Sequence, residues 1–268
     1  MEGKKRQPIG ADGQLLICTP LIGRTQEELA AELAGLLPKN PDVIEWRADF
    51  FAGVADADSV IHMARKITGM AGDIPVIFTL RSVAEGGQAT GLSDGEAIEL
   101  QAAICRDTDV EYVDCELSQS AADIAYLRQA AQESATGIIA SYHNFDHTPG
   151  NDFLLAKLTE AETMGFDVAK IAVMPRNQED VLRLLSVTLA AKERLKVPLI
   201  SIAMGEYGVI SRIMGGLFGS SLTFAAGQGA SAPGQIPMDD LRVILERLQQ
   251  YTGVGFGNRW AGEHRFEP

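Results

Sequence analysis

Short apolar runs and amphipathic stretches alternate along almost the entire chain. The runs fall at 15–18, 43–47, 76–81, 112–115, 137–143, 168–173, 199–204 and 222–225. Runs this short and this rich in Val, Ile, Leu and Ala predict strands buried on both faces, as in a parallel sheet. Between them, apolar positions recur at helical spacing and predict helices over 25–37, 58–70, 93–105, 120–134, 152–164, 178–195, 208–218 and 238–251. Two helix starts carry the pattern of a capping box, Thr25 with Glu28 and Ser93 with Glu96. Eight strand–helix units in one chain of this length predict an α/β fold, a single-domain (β/α)8 TIM barrel over 1–252 with 1–14 leading in. A doubly wound sheet is the second choice, because no G-x-G-x-x-G follows the first strand. The segment 253–268 carries Gly257, Trp260, Gly262 and Phe266 beyond the last helix. It reads as a disordered tail or as an aromatic arm docking on a neighbour.

Composition narrows the partners. The 268 residues are 46% hydrophobic and 22% charged, as in globular proteins, and the formal net charge is −13. That charge argues against nucleic acid or an anionic membrane as a partner. An anionic small molecule would need a local cluster of arginines working against the overall field. The three cysteines, Cys18, Cys105 and Cys115, are odd in number and form no C-x-x-C pair. They read as core thiols in a reducing compartment. Lys4, Lys5 and Arg6 are followed by Pro8, Gly10, Asp12 and Gly13, not by the apolar stretch of a signal peptide. No apolar run is long enough to span a bilayer, and the expectation is a soluble, cytoplasmic protein.

Polar residues at strand ends stand out against such apolar interiors, and strand ends are where a barrel of this kind places its chemistry. Lys170 lies inside the run Val168-Ala169-Lys170-Ile171-Ala172-Val173. An ammonium group on a buried strand costs several kcal/mol unless it is paired or loses its proton. A neutral amine is a nucleophile toward carbonyls; a lysine snorkelling to water is the plainer alternative. On strand two, side-chain alternation puts Glu45 and Arg47 on one face and Trp46 on the other. An ion pair between Glu45 and Arg47 is the simplest structural reading. Arg81 projects inward by the same parity, with Glu85 in the loop above it. His143 ends strand five; with His147 it forms an i, i+4 pair, but the intervening Asn-Phe-Asp is not a metalloprotease motif and no third ligand stands out. No metal is expected. Arg212 falls near the start of helix seven, and 227–235 is a loop of small residues that reads as a lid.

Seven segments, in order, resemble type I 3-dehydroquinate dehydratase. They are Glu45-Trp46-Arg47-Ala48-Asp49, Phe78-Thr79-Leu80-Arg81-Ser82 with Glu85-Gly86-Gly87, Ser141-Tyr142-His143-Asn144-Phe145, and Lys170-Ile171-Ala172-Val173-Met174-Pro175. Gly208-Val209-Ile210-Ser211-Arg212, Phe218-Gly219-Ser220 and Ala230-Ser231-Ala232-Pro233-Gly234-Gln235-Ile236 complete the set. The likeness runs from about Leu15 to Tyr251. It implies a metal-free and cofactor-free barrel, usually a homodimer, that dehydrates 3-dehydroquinate to 3-dehydroshikimate in the shikimate pathway. Residue by residue, it makes Lys170 the Schiff-base lysine, His143 the general acid and base, and Glu85 the partner of that histidine. It places substrate contacts on Glu45, Arg47, Arg81, Arg212, Ser231 and Gln235. Near the end of strand one, where some members carry a serine, this chain has Pro20.

These residue types suit that chemistry. A protonated imine is an electron sink that acidifies the neighbouring C–H. Histidine titrates near neutrality and can take that proton, then protonate a departing hydroxyl. A carboxylate on its other nitrogen fixes the tautomer, and the planar fork of arginine suits a substrate carboxylate. A Schiff-base aldolase on the same barrel and a catalytically silent ligand-binding regulator are the alternatives.

Overall fold

The structure, a computed structural model, describes residues 8–10 and 13–252. Among these residues eight strands run in order as β1 (Leu16–Leu21), β2 (Val43–Arg47), β3 (Val76–Thr79), β4 (Tyr112–Glu116), β5 (Gly137–Asn144), β6 (Val168–Val173), β7 (Leu199–Ala203) and β8 (Leu222–Phe224). Eight helices alternate with them: α1 (Gln26–Leu36), α2 (Ala57–Ala71), α3 (Asp94–Asp107), α4 (Ala121–Ser134), α5 (Asn151–Thr163), α6 (Gln178–Arg194), α7 (Val209–Phe218) and α8 (Met238–Thr252). The strands pair in parallel, in the order β7-β6-β5-β4-β3-β2-β1-β8. A bridge between Leu199 and Ser220 brings β7 against the chain leading into β8 and closes the ring. This is the (β/α)8 barrel expected from the alternation. The segment 253–268 lies outside the described residues.

Local sequence explains most boundaries. Ser93 forms the full capping box with Glu96. At Thr25 only half forms: its hydroxyl accepts from the Glu28 amide at 3.2 Å, but the Glu28 carboxylate takes the Arg24 amide instead, at 2.6 Å. β1 runs three residues past its expected end because Thr19, Pro20 and Leu21 continue the register against Ile44, Glu45 and Trp46.

The pleat sorts side chains into two cores. Outward residues such as Ile17, Ile44, Trp46, Phe78 and Val113 pack beneath the helices. Trp46 makes edge contacts with Phe51 and Phe78. Inward residues fill the barrel in layers. The lowest layer is apolar, with Val43, Ile77, Tyr112, Ile139 and Val168, and Ile9 plugs the bottom. Two residues further along the same strands stand Glu45, Thr79, Asp114, Ser141 and Lys170, and two further Arg47, Arg81, Glu116, His143 and Ala172. By contrast β7 and β8 stay apolar on the inner face, with Ile200, Ile202, Leu222 and Phe224. The barrel mouth is therefore polar along β2 to β6 and greasy opposite.

Candidate active site

At the mouth lies a cavity of about 490 Å³, lined by all nine residues singled out in the sequence: Glu45, Arg47, Arg81, Glu85, His143, Lys170, Arg212, Ser231 and Gln235. Ile202, Met204 and Phe224 form the apolar wall.

The lysine is neither in apolar surroundings nor reaching for water. Lys170 is 5% exposed, and its Nζ donates to Asp114 Oδ2 at 2.9 Å. Glu45 Oε1 stands 3.8 Å away, and the Phe224 ring centroid 4.9 Å away. The strand is apolar in sequence, but the layer it enters is not.

The Glu45–Arg47 ion pair does not form. Glu45 accepts from the Thr79 hydroxyl at 2.9 Å and faces the lysine. Arg47 is clamped by Asp49 through two parallel bonds of 2.8 Å each, Nε to Oδ1 and Nη2 to Oδ2. The 3-10 turn at Ala48–Phe50 swings Asp49 back onto the arginine, which alternation along a regular strand does not anticipate.

Arg81 is the hub of the polar wall. Its Nη2 reaches Asp114 Oδ2 at 2.8 Å, and its Nη1 reaches Glu116 Oε1 and Ser141 Oγ, both at 3.0 Å. Glu85 lies 3.7 Å away. Burial opposes the guanidinium charge, but Asp114, Glu116 and Glu85 more than offset it and raise its pKa above the ordinary value. It is a permanent cation around which three carboxylates are arranged.

His143 and Glu85 form a dyad. Glu85 Oε2 lies 2.8 Å from His143 Nδ1 and also accepts the His143 main-chain N–H at 3.1 Å. With that oxygen acting as acceptor, the ring proton sits on Nδ1 and Nε2 keeps its lone pair. Burial, followed by the positive charges of Arg81 and Lys170, holds the imidazole well below its usual pKa, so the ring is a neutral base. Burial and the neighbouring Glu116 push the Glu85 carboxyl up to about 8, against the pull of Arg81.

Arg212 is 1% exposed. It donates to the carbonyls of Phe224 at 3.2 Å and Pro233 at 2.9 Å, and among the described residues its Nε has no partner and no carboxylate pairs with it. Burial lowers its pKa to about 10, which leaves it charged at neutral pH. A buried cation without a counter-ion at a cavity wall has the chemistry to take up an anion.

The loop after β8 is seated over the cleft. Gln235 donates to Ser231 Oγ at 3.0 Å and accepts from the Ser231 amide at 2.9 Å. The Ser231 and Pro233 carbonyls accept from Arg47 and Arg212 respectively. Gly234 has φ +78°, and a Cβ there would meet the Gly205 carbonyl oxygen at 2.3 Å, so only glycine lets the loop approach this closely.

Two residues noted in the sequence lie away from the cavity. His147 is exposed, its amide capped by Asn144 Oδ1 at 2.9 Å, and among the described residues no group of three His, Cys, Asp or Glu could hold a metal ion. Pro20 is buried in β1 and does not line the cavity. Sequence pattern did not single out Asp114, Glu116 and Ser141, which organise the wall, or Asp49, which holds Arg47. The signal was present: Tyr112, Asp114 and Glu116 alternate along β4 and share the inward face.

The chain matches the family model for type I 3-dehydroquinase over residues 17–252. A 3-dehydroquinate dehydratase of Albidiferax ferrireducens is 46% identical over 249 residues, covering 93% of this chain and 94% of that protein. The crystal structure of 3-dehydroquinate dehydratase from Geobacillus kaustophilus superposes with a TM-score of 0.87 at 44% identity, covering 89% of this chain and 93% of the other. That of the type I enzyme from Clostridium difficile with covalent modified comenic acid gives 0.87 at 34% identity, covering 92% and 99%. No described helix is long and apolar enough to cross a membrane.

Proposed function

This chain belongs to the type I 3-dehydroquinase family, hydro-lyases of the shikimate pathway that work through a Schiff base, and we propose that in it the imine forms on Lys170. The observation that carries the assignment is the cavity itself. A buried amine, a neutral histidine and an unpaired buried guanidinium line one space of about 490 Å³. Each part of the reaction then has an occupant. Arg212 takes the substrate carboxylate, in the place of the counter-ion it lacks. Lys170 condenses with the ketone. His143 Nε2 removes the proton beside the imine and afterwards protonates the leaving hydroxyl. Glu85 orients the ring and, once ionised, answers the positive charge that forms on it. Glu45, Arg47 and Arg81 flank the ring hydroxyls, while Ser231 and Gln235 close the loop over them and exclude water.

Family membership sets aside the aldolase alternative, and the presence of lysine, histidine and glutamate weighs against a silent regulator. The reading extends to a cytoplasmic homodimer. Three buried cysteines outside any disulfide agree with a reducing compartment, and light scattering of the purified protein tests the dimer. The reaction itself is tested by the ultraviolet absorbance of the enone that dehydration creates. Borohydride added with 3-dehydroquinate should inactivate the enzyme and leave a ligand-sized mass on the Lys170 peptide. Label on another lysine, or full retained activity, overturns the assignment.

A further inference from the structure

Asp114 is buried at the centre of β4 and has a crowded set of partners. Its Oδ2 accepts from Lys170 Nζ at 2.9 Å and from Arg81 Nη2 at 2.8 Å, while Oδ1 accepts from Ser141 Oγ at 2.6 Å. Arg81 is itself held by Glu116 at 3.0 Å, so Asp114 is set between a lysine, a fixed guanidinium and a hydroxyl. Glu45 at 3.8 Å and the Phe224 ring at 4.9 Å complete the surroundings of Nζ. Two carboxylates and an aromatic face make a site for a cation.

Condensation with a ketone conserves that cation. An ammonium and a ketone give a protonated imine and one water: a C–N bond forms, the C–O bond breaks, and one positive charge sits on nitrogen at both ends. In between, the ammonium must lend a proton before it can attack. The neutral imidazole of His143 lines the same cavity and can hold that proton, returning it to the carbinolamine hydroxyl as water leaves. Asp114 is a poor proton carrier, since Arg81 and Lys170 overcome the effect of burial and hold its carboxyl well below the usual range.

We propose that Asp114 is a positioning residue and the counter-ion of the Lys170 nitrogen in both states, holding the ammonium at the cavity and then keeping the imine protonated. It thereby preserves the electron sink while the neighbouring proton is removed. The proposal rests on the imine reading above. The other charged or titratable groups around the pair are Glu45 on β2, Arg81 and Glu85 after β3, Cys115 and Glu116 on β4, His143 on β5 and Cys18 on β1; burial keeps both thiols neutral.

Borohydride trapping in the wild type tests the imine reading alone; no adduct on Lys170 removes the premise and the proposal with it. Asp114→Asn keeps the shape and removes the charge. The adduct should still form on Lys170, kcat should fall by roughly 10²–10³, as when one preorganised electrostatic partner is lost, and KM should change less. The alkaline limb of kcat should move to lower pH, because the imine sheds its proton more easily. Asp114→Glu, which retains the charge, should restore the limb toward its wild-type position. A folded Asp114→Asn enzyme with an unshifted limb, or one that forms no adduct, overturns the proposal. Should that variant fail to fold, nitrogen-15 spectra of lysine-labelled wild type at reaction equilibrium decide the matter. A protonated imine across the active pH range supports the counter-ion, and a neutral imine at pH 7 overturns it.

Discussion

Replacing Glu85 with glutamine should stabilise the protein while slowing it, and the stabilisation should depend on pH in a specific way. Glu85 is 6% exposed, and burial with Glu116 nearby pushes its carboxyl from 4.5 to about 8. The folded state therefore binds this proton more tightly than the unfolded chain does between those two values. The stability associated with the group is fully present below pH 4.5 and is lost as pH rises through about 8. At about 1.4 kcal/mol per pH unit, the loss approaches roughly 5 kcal/mol as an upper figure. Glutamine has the shape of the protonated acid, and its amide oxygen can accept from the His143 main chain and from Nδ1 as Oε2 does now. Wild type and Glu85→Gln should thus unfold alike in urea at about pH 4.5, with the variant gaining steadily toward about pH 9. Activity should fall most as pH rises through about 8, where the wild type gains a carboxylate beside the imidazolium formed during turnover and the variant does not, so the pH profile should shift. A stability difference that stays constant across that range would refute the argument, because only a titrating group makes it vary.

His143→Ala should lose about 10²–10⁴-fold in kcat, the range for a general acid–base group. It should still form the Lys170 adduct slowly, visible by mass spectrometry. Glu85→Gln should be the milder of the two, and equal damage with an unchanged pH profile would make the glutamate itself a proton carrier. Arg212→Ala should cost roughly 2–5 kcal/mol of substrate recognition, read as a raised KM, as when one partner of a buried charge pair is truncated. The same change removes the hydrogen bond to the Pro233 carbonyl, so limited proteolysis should cut the 227–235 loop faster in the variant; a near-normal KM would relocate the carboxylate site.

The barrel and the identity of its lining are legible along the chain. Strand and helix periods are local properties, so eight alternating units and the inward parity of Glu45, Arg81, His143 and Lys170 can be read without coordinates. Ring closure settles which charges meet. Arg47 pairs with Asp49 because a 3-10 turn folds the chain back, and Glu45 is thereby left facing the lysine from across the barrel. Lys170, read along its own strand, has only apolar neighbours; its carboxylate lies on β4, 56 residues earlier in the chain. Arg212 looks like an ordinary surface arginine near a helix start, and only packing against β8 and the following loop buries it without a counter-ion. Charge pairing acts over a few ångströms in space with no regard for chain distance, whereas strand parity acts between neighbours along the chain. The lining of the site therefore belongs to the sequence, and its electrostatics belong to the closed barrel.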